Sequence, residues 1–304
     1  MEGVVMNGTA IATEGLTHRF GKLTAVDDLH LEVPAGTVCG FLGRNGAGKT
    51  TTIQILMNLL RPTAGTVEVL GLNPAADSMA LRRQVGYVAE NRVMYGWMKV
   101  REIVWFTGQF YETWNQARVD GLIGRFGLDP DQKVKHLSRG MNAQLALALA
   151  LGHEPRLLIL DEPASGLDAV VRRDFLESII GLIQEEGRTV FLSSHLVHEV
   201  ERVADRVAII DNGRLVADGS VDEVKGSVKR VVARMPDGED DLSDIEGLRQ
   251  VQGEGPRRLL TVVGYGEAQA ARIKAQGGQI EDVLDVGLEE AFVAHVRPDT
   301  GGQL

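Results

Sequence analysis

The chain has 304 residues, a formal net charge of -10 and a composition that is 44% hydrophobic and 24% charged. This length and composition support a sizeable buried core, in one large domain followed by a smaller one, and they exclude disorder and collagen-like repetition. The acidic balance argues against a protein that coats nucleic acid, and no apolar run reaches the roughly 18 residues that a membrane helix needs. The one cysteine, Cys39, has no internal disulfide partner, and residues 1–9 lack the pattern of a secretory signal. These features together favour a cytoplasmic protein.

The first segment with a chemical signature is a glycine-rich loop, GRNGAGKT, at residues 43–50. An apolar strand precedes the loop and an apolar helix follows it, which is the context of a phosphate loop. Glycines let the backbone wrap closely around phosphate oxygens, while Lys49 reaches the terminal phosphates and the Thr50 hydroxyl ligates magnesium. The loop alone leaves kinases, GTPases and ATPases open. The residues predicted to hold the nucleotide here are Gly43, Asn45, Gly46, Gly48, Lys49, Thr50 and Thr51.

A second acidic element follows the apolar strand at residues 157–160. Asp161 and Glu162 come at the carboxyl end of this strand, where ligands bind in parallel sheets. Asp161 suits a magnesium carboxylate, and Glu162 suits the base that orients or deprotonates an attacking water. Taken alone, such a pair is also a common helix N-cap arrangement. Together with the phosphate loop, the pair predicts a hydrolytic site.

A third element, LSRGM at residues 137–141, opens a helix so rich in leucine and alanine that most of its sides should be buried. Ser138 is the expected N-cap of this helix. At these motifs the chain resembles the ATP-binding cassette (ABC) family, the ATPase subunits of ABC transporters, whose signature is Leu-Ser-Gly-Gly-Gln. The resemblance covers about residues 10–225. Arg139 and Met141 depart from the signature, whereas Ser138 and Gly140, which the family uses to contact a γ-phosphate, are retained.

The resemblance implies an α/β fold, the P-loop NTPase ABC cassette. This fold has a RecA-like parallel-sheet core, an antiparallel β subdomain and a helical subdomain at about residues 91–136. It also implies that Phe20 stacks on adenine, where an ordinary core phenylalanine is the alternative. Asp168 is expected to meet the opposite subunit. His195, at the end of an apolar strand, is expected to act with Glu162 as a catalytic residue at the γ-phosphate.

Glu90 departs from the family, which has a glutamine in the corresponding loop. A carboxylate still ligates magnesium through oxygen, but it adds negative charge near the triphosphate and cannot donate a hydrogen bond unless protonated. Because exporter-type members resemble this chain at Glu90 and Met141, we interpret Glu90 as a feature of the subfamily, with an impaired site as the alternative. The implied cofactors are ATP and Mg²⁺, and the implied metal ligands are Thr50, Glu90 and Asp161.

Residues 94–114 hold all three tryptophans of the chain and seven aromatic residues in total. In the family, this part of the chain belongs to the helical subdomain, beside which a short helix of the membrane-spanning partner docks. One interpretation is that all seven aromatics only pack this small subdomain. The other is that Tyr95, Trp97 and Met98 form an exposed anchor cluster of the kind enriched at protein interfaces.

Residues 226–304 show neither a second phosphate loop nor a cysteine cluster. Their pattern predicts a strand at residues 228–235, a strand at 257–266, a helix at 267–278, and a strand followed by a helix within 280–296. This order indicates a small C-terminal α/β accessory domain. The last helix resembles that of ATPase subunits of drug, antibiotic or lipid exporters. A stabilising or dimerising appendage is the first interpretation of this domain, and regulation is the second.

The resemblance as a whole implies the ATP-binding and ATP-hydrolysing subunit of an ABC transporter, with export as the expected direction. Two subunits, as a homodimer or a heterodimer, would bind ATP between the phosphate loop of one and Ser138 and Gly140 of the other. The second partner is a membrane-spanning permease, which places the subunit at the inner face of the membrane, and no nucleic acid is expected. The alternatives are a non-transport ABC ATPase and a nucleotide-binding regulatory switch with low turnover.

Overall fold

The computed structural model describes residues 8–168, 171–173, 175–176, 179, 181, 187–236, 242–253 and 255–297. The chain forms two compact units, Met1–Leu215 and Val216–Leu304. The strands are β1 (Thr9–Phe20), β2 (Leu23–Pro34), β3 (Val38–Leu42), β4 (Ala64–Val69), β5 (Val85–Val88), β6 (Leu157–Asp161), β7 (Thr189–Ser194), β8 (Arg206–Asp211), β9 (Arg214–Ser220), β10 (Val228–Arg234), β11 (Leu248–Gln252), β12 (Arg257–Val263) and β13 (Gln279–Asp285).

The α-helices whose bounds the structure defines alternate with these strands. They are α1 (Lys49–Leu56), α2 (Ser78–Gln84), α3 (Val100–Gly108), α4 (Gln116–Arg125), α5 (Arg139–Leu151), α6 (Val197–Val200), α7 (Val221–Gly226), α8 (Glu267–Ala275) and α9 (Leu288–Val296). Within the described parts of the chain, no helix is both long and apolar enough to cross a membrane.

The core of the first unit is a six-stranded sheet in the order β5-β6-β7-β3-β8-β9. Its strands β5, β6, β7, β3 and β8 pair in parallel. Every residue of β3, β6 and β7 is buried, as expected for central strands that are covered on both faces. The predicted parallel-sheet core is therefore confirmed, and it brings the carboxyl ends of β3, β6 and β7 to one edge.

The two subdomains predicted beside this core are also present. Strands β2, β1 and β4 form an antiparallel sheet in that order. Helices α3 and α4 lie within the predicted helical subdomain, at about residues 91–136, and α5 follows them; each of the three helices buries apolar residues. Ser138 is the N-cap of α5, because its Oγ accepts a hydrogen bond from the backbone N of Met141 at 3.2 Å.

The second unit is an antiparallel sheet in the order β11-β12-β10-β13 with helices α7, α8 and α9. The sequence predicted β10, β12, β13, α8 and α9 but missed the edge strand β11. This strand reads Leu-Arg-Gln-Val-Gln, and a register shift between Leu248 and Gln250 breaks its pairing with β12. With two apolar residues and an irregular register, β11 has too weak an alternation to be recognised from sequence.

Candidate active site

The glycine-rich loop lies between the carboxyl end of β3 and the first turn of α1. Gly46 and Gly48 have φ angles of +82° and +111°, in the region that favours glycine. A Cβ on Gly48 would lie 2.5 Å from the carbonyl oxygen of Ala25, and one on Gly43 would lie 2.6 Å from that of Ile210. The glycines are thus required both by backbone conformation and by the close approach of neighbouring strands.

Lys49 is a buried cation whose side chain is 6% exposed. Its Nζ donates hydrogen bonds to the carbonyl oxygens of Gly43 at 2.7 Å and Arg44 at 3.3 Å. The same atom lies 3.2 Å from Oε1 of Glu162. Because a buried charge needs a partner, the Glu162 carboxylate and the loop carbonyls together hold this ammonium group in place.

Hydrogen bonds restrain both the carboxylate and the backbone of Glu162, and the backbone is strained. Its Oε2 accepts a hydrogen bond from Nδ1 of His195 at 2.8 Å, and its backbone N donates to Oγ of Ser193 at 3.0 Å. Its φ angle is +44°, which is unusual for a residue with a side chain and costs about 1–3 kcal/mol in general. Such strain persists where surrounding contacts impose it, and here it aims the carboxylate between Lys49 and His195.

Asp161, the residue before Glu162, is almost wholly buried. Its Oδ1 accepts hydrogen bonds from Oγ of Ser193 at 2.7 Å and from Oγ1 of Thr50 at 3.3 Å. Burial raises the pKa of this carboxyl, and the two hydroxyl donors act against that rise. Sequence reasoning missed Ser193, although a serine at the end of the neighbouring strand β7 was a usable signal.

A cleft of about 590 Å³ opens in front of these side chains. It gathers residues that are far apart in sequence, from the end of β1 to the segment after β7. The predicted residues that line it are Phe20, Asn45, Gly46, Gly48, Lys49, Thr50, Thr51, Glu90, Glu162 and His195. Leu23, Ala25, Arg44 and Ser165 also line it and were not predicted.

Phe20 is 49% exposed at the mouth of the cleft. Its ring packs edge-on against His18, with 4.5 Å between ring centroids. The alternative that Phe20 is an ordinary core residue is therefore wrong. A half-exposed aromatic ring that lines a cleft is the kind of side chain on which a nucleotide base stacks.

Ser138 and Gly140 lie outside the cleft of their own chain. The Ser138 hydroxyl caps α5, and a Cβ on Gly140 would lie 2.8 Å from Cγ1 of Val171. Asp168 is exposed, and its Oδ1 accepts a hydrogen bond from the backbone N of Val171 at 3.0 Å. The structure thus groups the phosphate-loop residues with Glu162 and His195, and it keeps the signature residues apart from them.

Glu90 lines the cleft and is accompanied by an arginine two positions later. The Nη1 of Arg92 donates to the carbonyl oxygen of Pro163 at 2.6 Å, directly after Glu162. Burial lowers the pKa of Arg92, and the negative charge of Glu90 acts against that fall. Arg92 thus brings a positive charge into the neighbourhood of Glu90.

No group of three or more His, Cys, Asp or Glu side chains in the described residues is arranged to hold a metal ion. Magnesium does not need such a cage, because in phosphoryl-transfer sites it binds through one or two carboxylates together with substrate phosphates and water. The Thr50 hydroxyl and the Asp161 carboxylate are 3.3 Å apart beside the cleft. This pair of oxygens fits magnesium.

The aromatic stretch contains both packed and exposed rings. Tyr111 stacks on His153 with 4.1 Å between centroids, whereas Tyr95 and Trp97 are 53% and 65% exposed and lie 6.1 Å apart. Trp105 and Phe110 are exposed as well. Packing therefore does not account for all seven rings. Beside the stretch lies an open groove of about 460 Å³, whose lining includes Val93, Met94, Tyr111 and Leu149.

Comparison with known proteins gives consistent matches along the chain. A family model described as "ABC transporter" matches residues 26–165. The daunorubicin resistance ATP-binding protein DrrA3 of Streptomyces coeruleorubidus is 35% identical, over 96% of this chain and 94% of that protein. The bacitracin transport ATP-binding protein BcrA of Bacillus licheniformis is 37% identical, over 71% of this chain and 72% of that protein. A solved structure of an ATP-binding subunit of an ABC transporter superposes with a TM-score of 0.66 at 28% identity, over 72% of this chain and 92% of that chain.

Proposed function

The chain belongs to the ATP-binding subunits of ABC transporters, and on this premise we propose that it hydrolyses ATP to drive an exporter through a separate membrane permease. The observation that carries the proposal is the placement of the Glu162 carboxylate, held between Lys49 and His195 at the edge of the cleft. Export is supported by the relatives named for daunorubicin resistance and bacitracin transport.

The roles proposed for the catalytic residues follow from their contacts. Glu162 is the base that orients the attacking water and accepts its proton, because its carboxylate lines the cleft. His195 keeps Oε2 of Glu162 oriented by donating from Nδ1. Lys49 moves its positive charge from Glu162 to the terminal phosphates when ATP binds, which leaves the carboxylate free to accept a proton.

The remaining site residues are proposed to bind the nucleotide and its metal. Phe20 stacks on the base, and the backbone N–H groups of the phosphate loop bind the phosphates. Thr50, Asp161 and Glu90 are the proposed magnesium ligands; the ion, when bound, neutralises negative charge on the phosphates. The buried Asp161 carboxyl suits this role, because its charged form is penalised by burial and a cation would favour it.

A second ATPase subunit is proposed to complete the site. Ser138 and Asp168 are exposed and lie outside the cleft that the phosphate loop lines, so they are available to the nucleotide and loops of a facing subunit, whereas Gly140 is buried in the first turn of α5 next to Ser138. A homodimer is the simplest form of this pair. A heterodimer would use the same surfaces.

The permease is proposed to dock on the helical subdomain, at the groove beside Val93 and Met94. The neighbouring rings of Tyr95 and Trp97 are exposed and near each other, as interface anchors are before a partner binds. Docking there would hold the subunit at the inner, cytoplasmic face of the membrane.

The proposed nucleotide-binding domain spans residues 10–225, with its helical subdomain at about 91–136, and the accessory domain spans residues 226–304. The first compact unit holds all residues of the cleft and supports this division. That unit ends at Leu215, so the end of β9 and helix α7 are grouped with the second unit.

The proposal is tested by measuring ATP hydrolysis of the purified chain, alone and with its candidate permease in lipid vesicles. We expect the permease to raise the rate, and we expect Lys49→Ala or removal of magnesium with EDTA to lower it by about 100-fold or more. An equal rate with and without permease would contradict coupling. Tight ATP binding without turnover would instead identify a regulatory switch.

A further inference from the structure

The sheet of the C-terminal unit has one apolar face. Residues at alternate positions of a strand lie on the same face, so Val231 and Ala233 of β10 share a face with Leu260 and Val262 of β12. These four residues are buried in one cluster with Ile273 of α8. On this side the sheet and its helix form an ordinary hydrophobic core.

On the opposite face Val232 and Leu259 are only half-buried, and the buried apolar residues lie at one end. There Val228 and Val263, paired across β10 and β12, pack with Ala291 and Ala294 of α9. Arg230 lies on the same face of β10, two residues after Val228, and pairs with Thr261 of β12. Thr261 in turn pairs with Gln250 of β11. A row of polar side chains therefore crosses three strands where a helix-covered sheet would normally carry apolar ones.

These polar residues form the floor of a cavity of about 280 Å³, and residues of α9 form its wall. Three guanidinium groups line the cavity, from Arg230, Arg249 and Arg297, together with two carboxylates, from Glu289 and Glu290. Arg230 and Glu290 form an ion pair, with 2.9 Å between Nη1 and Oε1. The side chains that line the cavity thus include three arginines and two glutamates.

Arg249 is oriented by the helix beside it. Its Nε donates to the carbonyl oxygen of Ala294 at 3.1 Å, and burial lowers the pKa of this guanidinium. A planar guanidinium that is fixed on one edge and partly removed from water is the group that proteins use to bind carboxylates and phosphates.

We propose that this cavity, the Arg249 pocket, binds a small organic anion, a carboxylate or a phosphate ester. The cavity lies just below the range of about 300–1,000 Å³ for drug-sized ligands, so the occupant is smaller than a nucleotide or an exported drug. Arg249 and Arg297 would bind its anionic group. Thr261, Gln250 and Glu289 would accept hydrogen bonds from its hydroxyl or amino groups.

The test is isothermal titration of the full chain with citrate, glycerol 3-phosphate and glutamate, and with inorganic phosphate as the simple anion. Because these anions also suit the phosphate loop, each titration is made with the ATP site saturated. We expect at least one organic anion to bind with a Kd of about 1 mM or lower and more tightly than inorganic phosphate. Failure of every organic anion to do so would overturn the proposal.

Two substitutions and one control locate the binding. We expect Arg297→Gln and Thr261→Val each to weaken it about tenfold. Thr261→Val keeps the side-chain shape, and Arg297 is exposed at the rim, so circular dichroism and Tm should show both variants folded. Arg272→Gln, which removes a surface arginine from α8 on the opposite face, should have no effect. Equal weakening by Arg272→Gln would mean non-specific charge attraction and would contradict the proposed pocket.

Discussion

The Glu162 side chain is fixed by residues from three different parts of the chain. Lys49 contacts Oε1, His195 contacts Oε2, and Ser193 accepts a hydrogen bond from the backbone N. Each contact restrains a different atom, which is how a strained backbone with positive φ is maintained. The carboxylate is therefore oriented before any substrate binds, and in the proposed mechanism His195 and Ser193 keep it oriented when Lys49 moves to the phosphates.

A second residue, His153, is buried in its neutral form. Its Nε2 donates to the carbonyl oxygen of Val85 at 3.3 Å, and its ring stacks on Tyr111. Its Nδ1 is buried with no hydrogen-bond partner in the described residues, so a proton there would have no acceptor. Burial lowers the pKa of His153 to about 4 from an ordinary value of 6.5.

This depressed pKa predicts a loss of stability in acid. Between pH 6.5 and about 4 the unfolded chain takes up a proton at His153 that the folded chain does not, so the free energy of unfolding falls as pH falls. The loss amounts to at most about 3 kcal/mol. We expect His153→Gln to flatten the stability profile over this range in urea denaturation, while His136→Gln, at an exposed histidine, should keep the wild-type slope. Parallel profiles for wild type and His153→Gln would contradict a neutral buried histidine.

At the scale of elements, the segment that follows β5 contributes to both the groove and the cleft, and it also contacts the residues that follow β6. Asn91, Arg92 and Val93 line the groove, Glu90 lines the cleft, and Arg92 donates to the carbonyl oxygen of Pro163. One side chain thus joins a surface where a partner is proposed to dock to the residue that follows Glu162. Loss of that hydrogen bond should loosen the Glu162 backbone without removing any group that binds ATP.

We expect Arg92→Ala to lower kcat about tenfold with little change in the KM for ATP, because misplacing a catalytic group mainly affects the chemical step. Arg92→Lys should restore part of the rate, since an ammonium group also donates to a carbonyl. Arg82→Ala is the matched control, because Arg82 also lines the groove. The measurement is a steady-state ATPase assay of the wild type and the three variants. An unchanged kcat in Arg92→Ala would show that the Pro163 contact has no catalytic role.

The elements that sequence predicted well are those defined by local pattern. The phosphate loop, the buried strand before Asp161 and the strand before His195 each show an apolar run followed by polar residues at a fixed spacing. The Arg92–Pro163 contact joins residues 71 positions apart and has no such pattern. Strand β11 was missed because its alternation is weak and its pairing irregular. Contacts of this type depend on how the strands are ordered in the sheet, which a single sequence does not reveal.

At the scale of the whole molecule, the exposed rings of the aromatic stretch indicate where the proposed membrane permease would bind the subunit. We expect Trp97→Ala to reduce co-purification with the permease about tenfold, because an aromatic anchor at an interface contributes roughly 1–2 kcal/mol or more. ATP binding by the isolated subunit should be unchanged, since Trp97 does not line the cleft. Met79→Ala is the control, because Met79 is 68% exposed but lies on α2, outside the helical subdomain. Full co-purification of Trp97→Ala would exclude this cluster as the docking anchor.

The most direct test of the account is the ATPase rate of Glu162→Gln beside its ATP affinity. Glutamine keeps the size of the side chain but cannot accept the proton of the attacking water, so we predict a fall in kcat of about 10²–10³ with ATP still bound. Glu68→Gln, at an exposed strand position, should retain the wild-type rate. Near-normal turnover in Glu162→Gln would contradict the assignment of Glu162 as the base.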